Sequence, residues 1–290
     1  MSQSNAASGL QARLQAARHS DVSSLAGSRS MAAAVGDVVQ GLLYAPLWFT
    51  MAWQDIRQRY RRSTIGPFWL TLSMGILVGT LGFLYGALFQ LPIDNYLPFL
   101  ALGFLAWGFI SGVINEGGTV FIEAETYVKQ IKLPLSTFVY RIVCRNMIIF
   151  AHNSVVYIVV MIWFGIWPGV AAFQLIPSLA LLLATSVWGA LLLGTLCARF
   201  RDVPQIAASF LQVAFFLTPI IWTPELIGDR IIFVEVNPFY HFVELVRAPL
   251  LGQSITGLTW LVTLAITIGG WLGTLLFFRL FRARIAYWVS

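Results

Sequence analysis

The chain has 290 residues, of which 58% are hydrophobic and 10% charged, and its mean hydropathy is +0.79. A soluble domain carries about 25% charged residues, so the composition excludes a soluble globular protein and describes an integral membrane one. The net charge of +6 lies beside apolar stretches, which excludes nucleic acid as its explanation and points to membrane sidedness.

Residues 1–38 are rich in Ala, Ser and Gln, with scattered arginines and no continuous apolar core. They lack the h-region of a secretory signal and read as a mobile cytoplasmic tail. The apolar, aromatic run that follows is interrupted by Pro46 and is too short for a span of about 20 residues. The spacing predicts an amphipathic helix over 39–62, lying in the interface with Trp48, Phe49 and Trp53 at headgroup depth. Its end, DIRQRYRRSTIGPFW at 55–69, crowds Arg57, Arg59, Arg61 and Arg62 ahead of an apolar run. A guanidinium crosses a bilayer at high cost, so this cluster anchors the chain on the cytoplasmic side.

The remainder, 63–290, is expected to be all-α, with six transmembrane helices at roughly 68–89, 97–114, 142–164, 175–196, 204–222 and 257–278. Each is free of Asp, Glu, Lys and Arg through its centre. Only Arg230 and Arg247 fall on the outer side, which places both termini in the cytoplasm. Gly75, Gly79, Gly82 and Gly86 share one side of the first span, as a close-packing surface or as a smooth wall for a passing substrate. The inner segment 115–134 predicts a separate connecting helix opened by Gly117 and Gly118 and stopped by Pro134. Its Glu123 and Glu125, beside Lys129 and Lys132, look like a docking surface.

Between the fifth and sixth spans, residues 223–255 are apolar but interrupted by Glu235, Pro238, Glu244 and Arg247. That pattern predicts a re-entrant helical hairpin on the periplasmic side, with Glu244 and Arg247 paired at i, i+3 and His241 structural. His152 is expected to hydrogen-bond a neighbouring helix.

Several chemistries lack their residues. Neither Lys129 nor Lys132 completes a P-loop, and no paired-carboxylate motif, HExxH or nucleophile elbow occurs. Cys144 and Cys197 imply no disulfide framework and have no zinc-ligand neighbour, so no metal site is expected. Charge-free span centres also disfavour proton or sodium coupling. Any driving force must come from a partner, with no cofactor bound by this chain.

The ordered set DIRQRYRRSTIGPFW at 55–69, VKQIKLPLS at 128–136, ARFRDVPQI at 198–206, FFLTPIIWTPE at 215–225 and NPFYHFVELVRAPLLG at 237–252 resembles the permease subunit of ABC transporters. The resemblance is to those that export O-antigen, capsular polysaccharide and teichoic acid. It implies a homodimer in the bacterial inner membrane, docked on two ATP-binding subunits that hold ATP and Mg, forming a channel for a lipid-linked polysaccharide. It also implies that Asp55 and Arg57, Glu116, Glu123, Glu125 and Tyr127, and Arg199, Arg201 and Asp202 face the ATPase. Spans one, two and five would line the channel. An exporter of another lipid or a drug, and a membrane-embedded glycan-modifying enzyme, remain alternatives.

Two expectations follow from chemistry once such a substrate is considered. Aromatic faces stack on sugar rings with little directional demand, which makes Trp69, Phe83, Tyr85, Phe104, Trp107, Phe215 and Phe216 candidates to line the path. A lipid-linked substrate carries phosphate, and Arg57, Arg59, Arg61 and Arg62 are candidates to attract it, beside their simpler role as a topology anchor.

Overall fold

Without water to satisfy its backbone, an apolar stretch crosses a bilayer as a helix or a closed barrel. In the computed structural model, which describes residues 30–59, 61, 65–66 and 68–289, helices are the regular structure and no strand occurs among the described residues. Five spans are long and apolar enough to cross: α3 (Phe68–Phe89), α4 (Ile93–Glu123), α6 (Ser136–Phe164), α7 (Leu175–Arg199, extended by a 3-10 turn from Gly169) and α11 (Gly257–Trp288).

The chain begins with two helices, α1 (Met31–Leu43) and α2 (Ala45–Arg59), bent by 66° at Tyr44. Ser30 caps α1 by accepting the Ala33 N–H at 3.0 Å, and Pro46 opens the first turn of α2, where its missing N–H costs nothing. Helix therefore begins at Met31, ahead of the expected boundary at 39, and residues 31–38 are not a free tail. The reason is Asp37, which is 5% exposed. Its carboxylate accepts the backbone N–H of Ser136 and Leu135 at 3.0 and 3.2 Å and the Arg282 guanidinium at 3.1 Å. The tail expectation for residues 1–29 lies outside the described residues.

At the centre stands α4. In its most apolar stretch 61% of residues are buried, against 22% in α3, α6 and α11. Small residues allow this: a Cβ on Gly117 would lie 2.9 Å from the Ala190 Cα on α7, so the two backbones touch closely. The same packing explains a difference from expectation. Gly117 and Gly118 do not open a separate connecting helix but lie inside α4, which runs on to Glu123. Only a six-residue helix, α5 (Glu125–Gln130), follows. Of the first-span glycines, Gly82 and Gly86 pack on Leu97 and Ile93 of α4, whereas a Cβ at Gly79 would meet nothing within 4 Å.

The expected fifth span, 204–222, is replaced by α8 (Val203–Leu217), 15 residues or about 22 Å long against a hydrocarbon core of about 30 Å. Pro219 cannot continue the helix, and the chain turns at Thr218. The carbonyls left free are then met by side chains: Trp222 Nε1 donates to Phe216 O at 3.0 Å, Asn237 Nδ2 to Leu217 O at 3.3 Å, Arg247 Nη2 to Pro219 O at 2.8 Å, and Tyr96 Oη to Ile221 O. Irregular backbone between apolar helices persists only when satisfied in this way.

A 3-10 helix (Pro224–Arg230), α9 (Ile232–Glu235) and α10 (Pro238–Leu250) complete the segment before α11. Asn237 caps α10 by accepting the Phe239 N–H at 3.0 Å. His241 is held structurally, with Nδ1 on Thr259 Oγ1 at 2.9 Å and Nε2 on Glu235 O at 2.7 Å. His152 differs from expectation: its Nδ1 contacts Ile148 O on its own helix at 2.9 Å, while its backbone carbonyl accepts Thr71 Oγ1 from α3.

Candidate functional site

The arginine-rich end of the bundle holds a charge network built from three helices. Asp55 on α2 accepts Arg141 in a fork, Nε at 2.7 Å and Nη2 at 2.5 Å, and Arg145 Nη1 at 2.9 Å. Glu116 on α4 accepts Arg145 Nη2 at 2.9 Å, Asn146 Nδ2 at 2.5 Å and, from α2, Arg59 Nη2 at 3.4 Å. Arg141 and Arg145 are four residues apart on α6 and so share one face. The Arg145 side chain is only 8% exposed and bridges the two carboxylates, so it is the keystone of the set.

Room for Asn146 comes from Gly112: a Cβ there would overlap the Asn146 Oδ1. Glu116 belongs to the second span's own helix and not to the separate connecting helix expected over 115–134. It lies within α4, 23 residues after Ile93, or about 35 Å along the axis and hence past a hydrocarbon core of about 30 Å. Two carboxylates and several cations held in one half-buried network form a junction that can change partners when α2 moves, because each acceptor faces more than one donor.

The other residues expected to face an ATPase fall nearby in smaller sets. Glu123 accepts Thr119 Oγ1 at 2.6 Å, Glu125 pairs with Lys129 at 2.6 Å, and Tyr127 sets its ring 6.1 Å from that of Phe138. Arg199 stands 5.9 Å from the Trp288 ring and Arg201 Nη2 donates to Trp288 O at 3.4 Å, which joins the end of α7 to the end of α11. Asp202 precedes α8 without capping it through its side chain. Of the arginine cluster, Arg57 and Arg61 are exposed, Arg59 is engaged by Glu116, and Arg62 lies outside the described residues.

Four of the seven candidate aromatics come together. Phe215 on α8 lies 5.7 Å from both Phe104 and Trp107 on α4, and 5.3 Å from Phe216. Phe239 on α10 extends the group at 5.5 Å from Trp107 and 6.0 Å from Phe210. These last two rings were missed by the sequence reading. A neighbouring groove of about 590 Å³ is lined by Phe210, Phe216, Trp222, Phe233 and Phe239, with Arg230 at its wall. Trp69, Phe83 and Tyr85 are not part of the group. Trp69 and Phe83 are exposed on α3, and Tyr85 stacks on Phe89 at 5.5 Å.

At the opposite end Arg247 is 1% exposed. It pairs with Glu244 at 3.1 Å, as the i, i+3 spacing predicts, and sits 3.8 Å above the Phe99 ring of α4. Burial pushes the Glu244 carboxyl above the usual carboxylate range, and the Arg247 charge opposes that rise.

Sequence reasoning missed Arg141, Arg145, Asn146 and Asp37. The signal for the two arginines was present: arginines at i, i+4 entering an apolar span require carboxylate partners. Nothing in the sequence names which carboxylates those are.

The fold and its charged end define a polytopic helical membrane protein. Residues 46–251 match the ABC-2 type transporter, and the chain belongs to that family; it is a permease-type membrane subunit, and the family implies an ABC ATP-binding partner. It is similar to the O-antigen export system permease protein RfbA of Myxococcus xanthus, 22% identical over 210 residues, which cover 71% of this chain and 80% of that relative. Two proteins of the same name from Klebsiella pneumoniae are each 21% identical. One matches over 192 residues (66% of this chain, 74% of the relative) and the other over 223 residues (75% and 86%).

Proposed function

We propose that the chain is the channel-forming subunit of an ATP-driven exporter that moves lipid-linked polysaccharide, O-antigen foremost, from the cytoplasm across the bacterial inner membrane. The observation that carries this reading is the similarity to O-antigen export permeases along most of the chain. The ring group of Phe104, Trp107, Phe215, Phe216 and Phe239 supports it, because aromatic faces accept successive sugar rings without fixed hydrogen-bond register. In this reading two copies form the channel and the termini are cytoplasmic. α1 and α2 lie at the inner interface, residues 63–290 form the permease domain, and ATP and Mg²⁺ sit on two partner subunits.

The charge network then has a mechanical role. Movement imposed by the ATPase on α2 reaches α4 and α6 through Asp55, Arg145 and Glu116, and α4 carries Phe104 and Trp107 farther along the same rigid helix. Glu123, Glu125, Tyr127, Arg57 and the Arg199 to Asp202 turn supply the surface that the ATPase meets. Arg57, Arg59, Arg61 and Arg62 hold the phosphate of the lipid carrier as the substrate approaches.

The test is the location of the polymer in cells whose copy of the gene is deleted, by surface labelling beside total glycan. Loss from the surface with lipid-linked polymer retained inside is expected. Failure to make any polymer would replace export with synthesis.

A further inference from the structure

Away from the charge network, a groove of about 530 Å³ lies between α1, the segment 128–135 and the end of α11. Its walls are of two kinds. Asp37, Gln40, Tyr44, Lys129, Lys132 and Arg282 present polar groups, the Asp37 carboxylate being met by Arg282 and by backbone N–H groups, and Val128, Ile131 and Leu133 present an apolar side. Ala283 and Ala286 form the α11 wall with small side chains, which keeps the groove open. The charges in it are unevenly satisfied. Arg282 is engaged by Asp37 at 3.1 Å and Lys129 by Glu125 at 2.6 Å, whereas Lys132 has no carboxylate partner among the described residues.

Depth selects the occupant. Arg282 lies 25 residues after Gly257 on the single helix α11, about 38 Å along its axis, whereas the hydrocarbon core is about 30 Å thick. The groove therefore opens in the headgroup layer on the arginine-rich side. Tyr44, at the elbow between α1 and α2, is the residue type that favours that depth. Its size falls in the range of about 300–1,000 Å³ typical of small-ligand sites, while a protein partner ordinarily covers a broad surface of about 800 Å² per side. A free phosphate would use the lysine and leave the apolar wall uncovered. A glycerophospholipid uses both, its phosphodiester on Lys132 and its first acyl carbons along Val128, Ile131 and Leu133.

We propose that this groove seats the headgroup of an anionic phospholipid, bound as a resident lipid that joins the N-terminal helix to α11. The site is distinct from the path proposed for the exported polymer, and the proposal does not depend on what that polymer is.

The test uses the full chain purified in mild detergent, titrated with phosphatidylglycerol or phosphatidylcholine, with bound lipid counted by native mass spectrometry. Wild type is expected to hold its tightest phosphatidylglycerol in preference to phosphatidylcholine. Lys132→Gln is expected to lower that occupancy roughly fivefold, the scale of one lysine against an anionic surface, and Lys132→Arg to restore it. Ala286→Leu, which fills the groove without altering charge, is expected to displace the same lipid. Equal retention of the two lipids by wild type, or unchanged retention in both Lys132→Gln and Ala286→Leu, would overturn the proposal. So would inorganic phosphate that competes as strongly as the lipid, which would mark a free-anion site. Loss of the ATP-binding subunit from Lys132→Gln with lipid occupancy intact would mark a protein-docking surface instead and overturn it equally.

Discussion

The two ends of the bundle both bury arginine, and they do so with different consequences. At the arginine-rich end, Arg145 bridges Asp55 and Glu116, partners 90 and 29 residues away in sequence, and Arg141, Asn146 and Arg59 offer the same carboxylates further donors. At the opposite end, Arg247 has one carboxylate three residues away, one carbonyl and one ring, all inside a space that Gly103 leaves open. The first arrangement offers each carboxylate more than one donor residue and joins α2 to two spans. The second gives its one carboxylate a single donor residue, leaves the Arg247 Nε without a hydrogen-bond partner among the described residues, and pins a broken helix in place. Charge redundancy suits a moving joint, and its absence suits a fixed one.

The comparison is sharpened first by removing the fixed pin. Arg247→Ala leaves Glu244, whose side chain is 17% exposed, without its cation and Pro219 O unsatisfied, a loss of up to about 3–5 kcal/mol on the scale of broken buried pairs. Membrane yield and the thermal midpoint in detergent should both collapse, and Arg247→Lys should not restore them, because an ammonium cannot serve the carboxylate, carbonyl and ring at once. A smaller cost, within a few kcal/mol, is expected for Gly112→Ala, which forces Asn146 away from Glu116. Its thermal midpoint should fall less than that of Arg247→Ala, since Arg145 and Arg59 still serve Glu116.

In the ring group the cleaner substitution is Phe216→Ala, because Phe216 is 69% exposed whereas Trp107 is 7% exposed. Trp107→Ala should lower stability by about 3–5 kcal/mol through the cavity it leaves. Phe216→Ala should leave the midpoint within about 0.5 kcal/mol of wild type and slow export. Wild-type export from a well-folded Phe216→Ala protein would remove that ring from the path. The stability effect of Arg59→Ala is also small: with a side chain 51% exposed, its pair with Glu116 is worth no more than about 1 kcal/mol and weakens with salt.

What could be read from the sequence follows the same division. Long apolar runs revealed α3, α4, α6, α7 and α11, because nothing but a helix satisfies such a stretch in lipid. The Glu244–Arg247 pair was legible because i, i+3 partners meet on any helix. The shortening of the fifth apolar segment had its signal in Pro219, but hydropathy outweighed it; what makes the break tolerable is the meeting of Tyr96, Asn237 and Arg247, which are far apart in the chain. Asp37 was hidden in a polar, alanine-rich stretch, since its partners at Ser136 and Arg282 exist only after folding. The aromatic supply was legible as composition. Which rings gather depended on how α8 and α10 pack on α4.

The most direct measurement is the ratio of polymer exported to ATP hydrolysed by the complex reconstituted in vesicles, wild type beside Asp55→Asn. The substitution keeps the shape of the side chain and removes the charge that Arg141 and Arg145 share. If the network carries movement from α2 to α4, hydrolysis should persist while export per ATP falls roughly tenfold, within the usual range of coupling free energies. Export and hydrolysis falling in parallel, or an unchanged ratio, would contradict it.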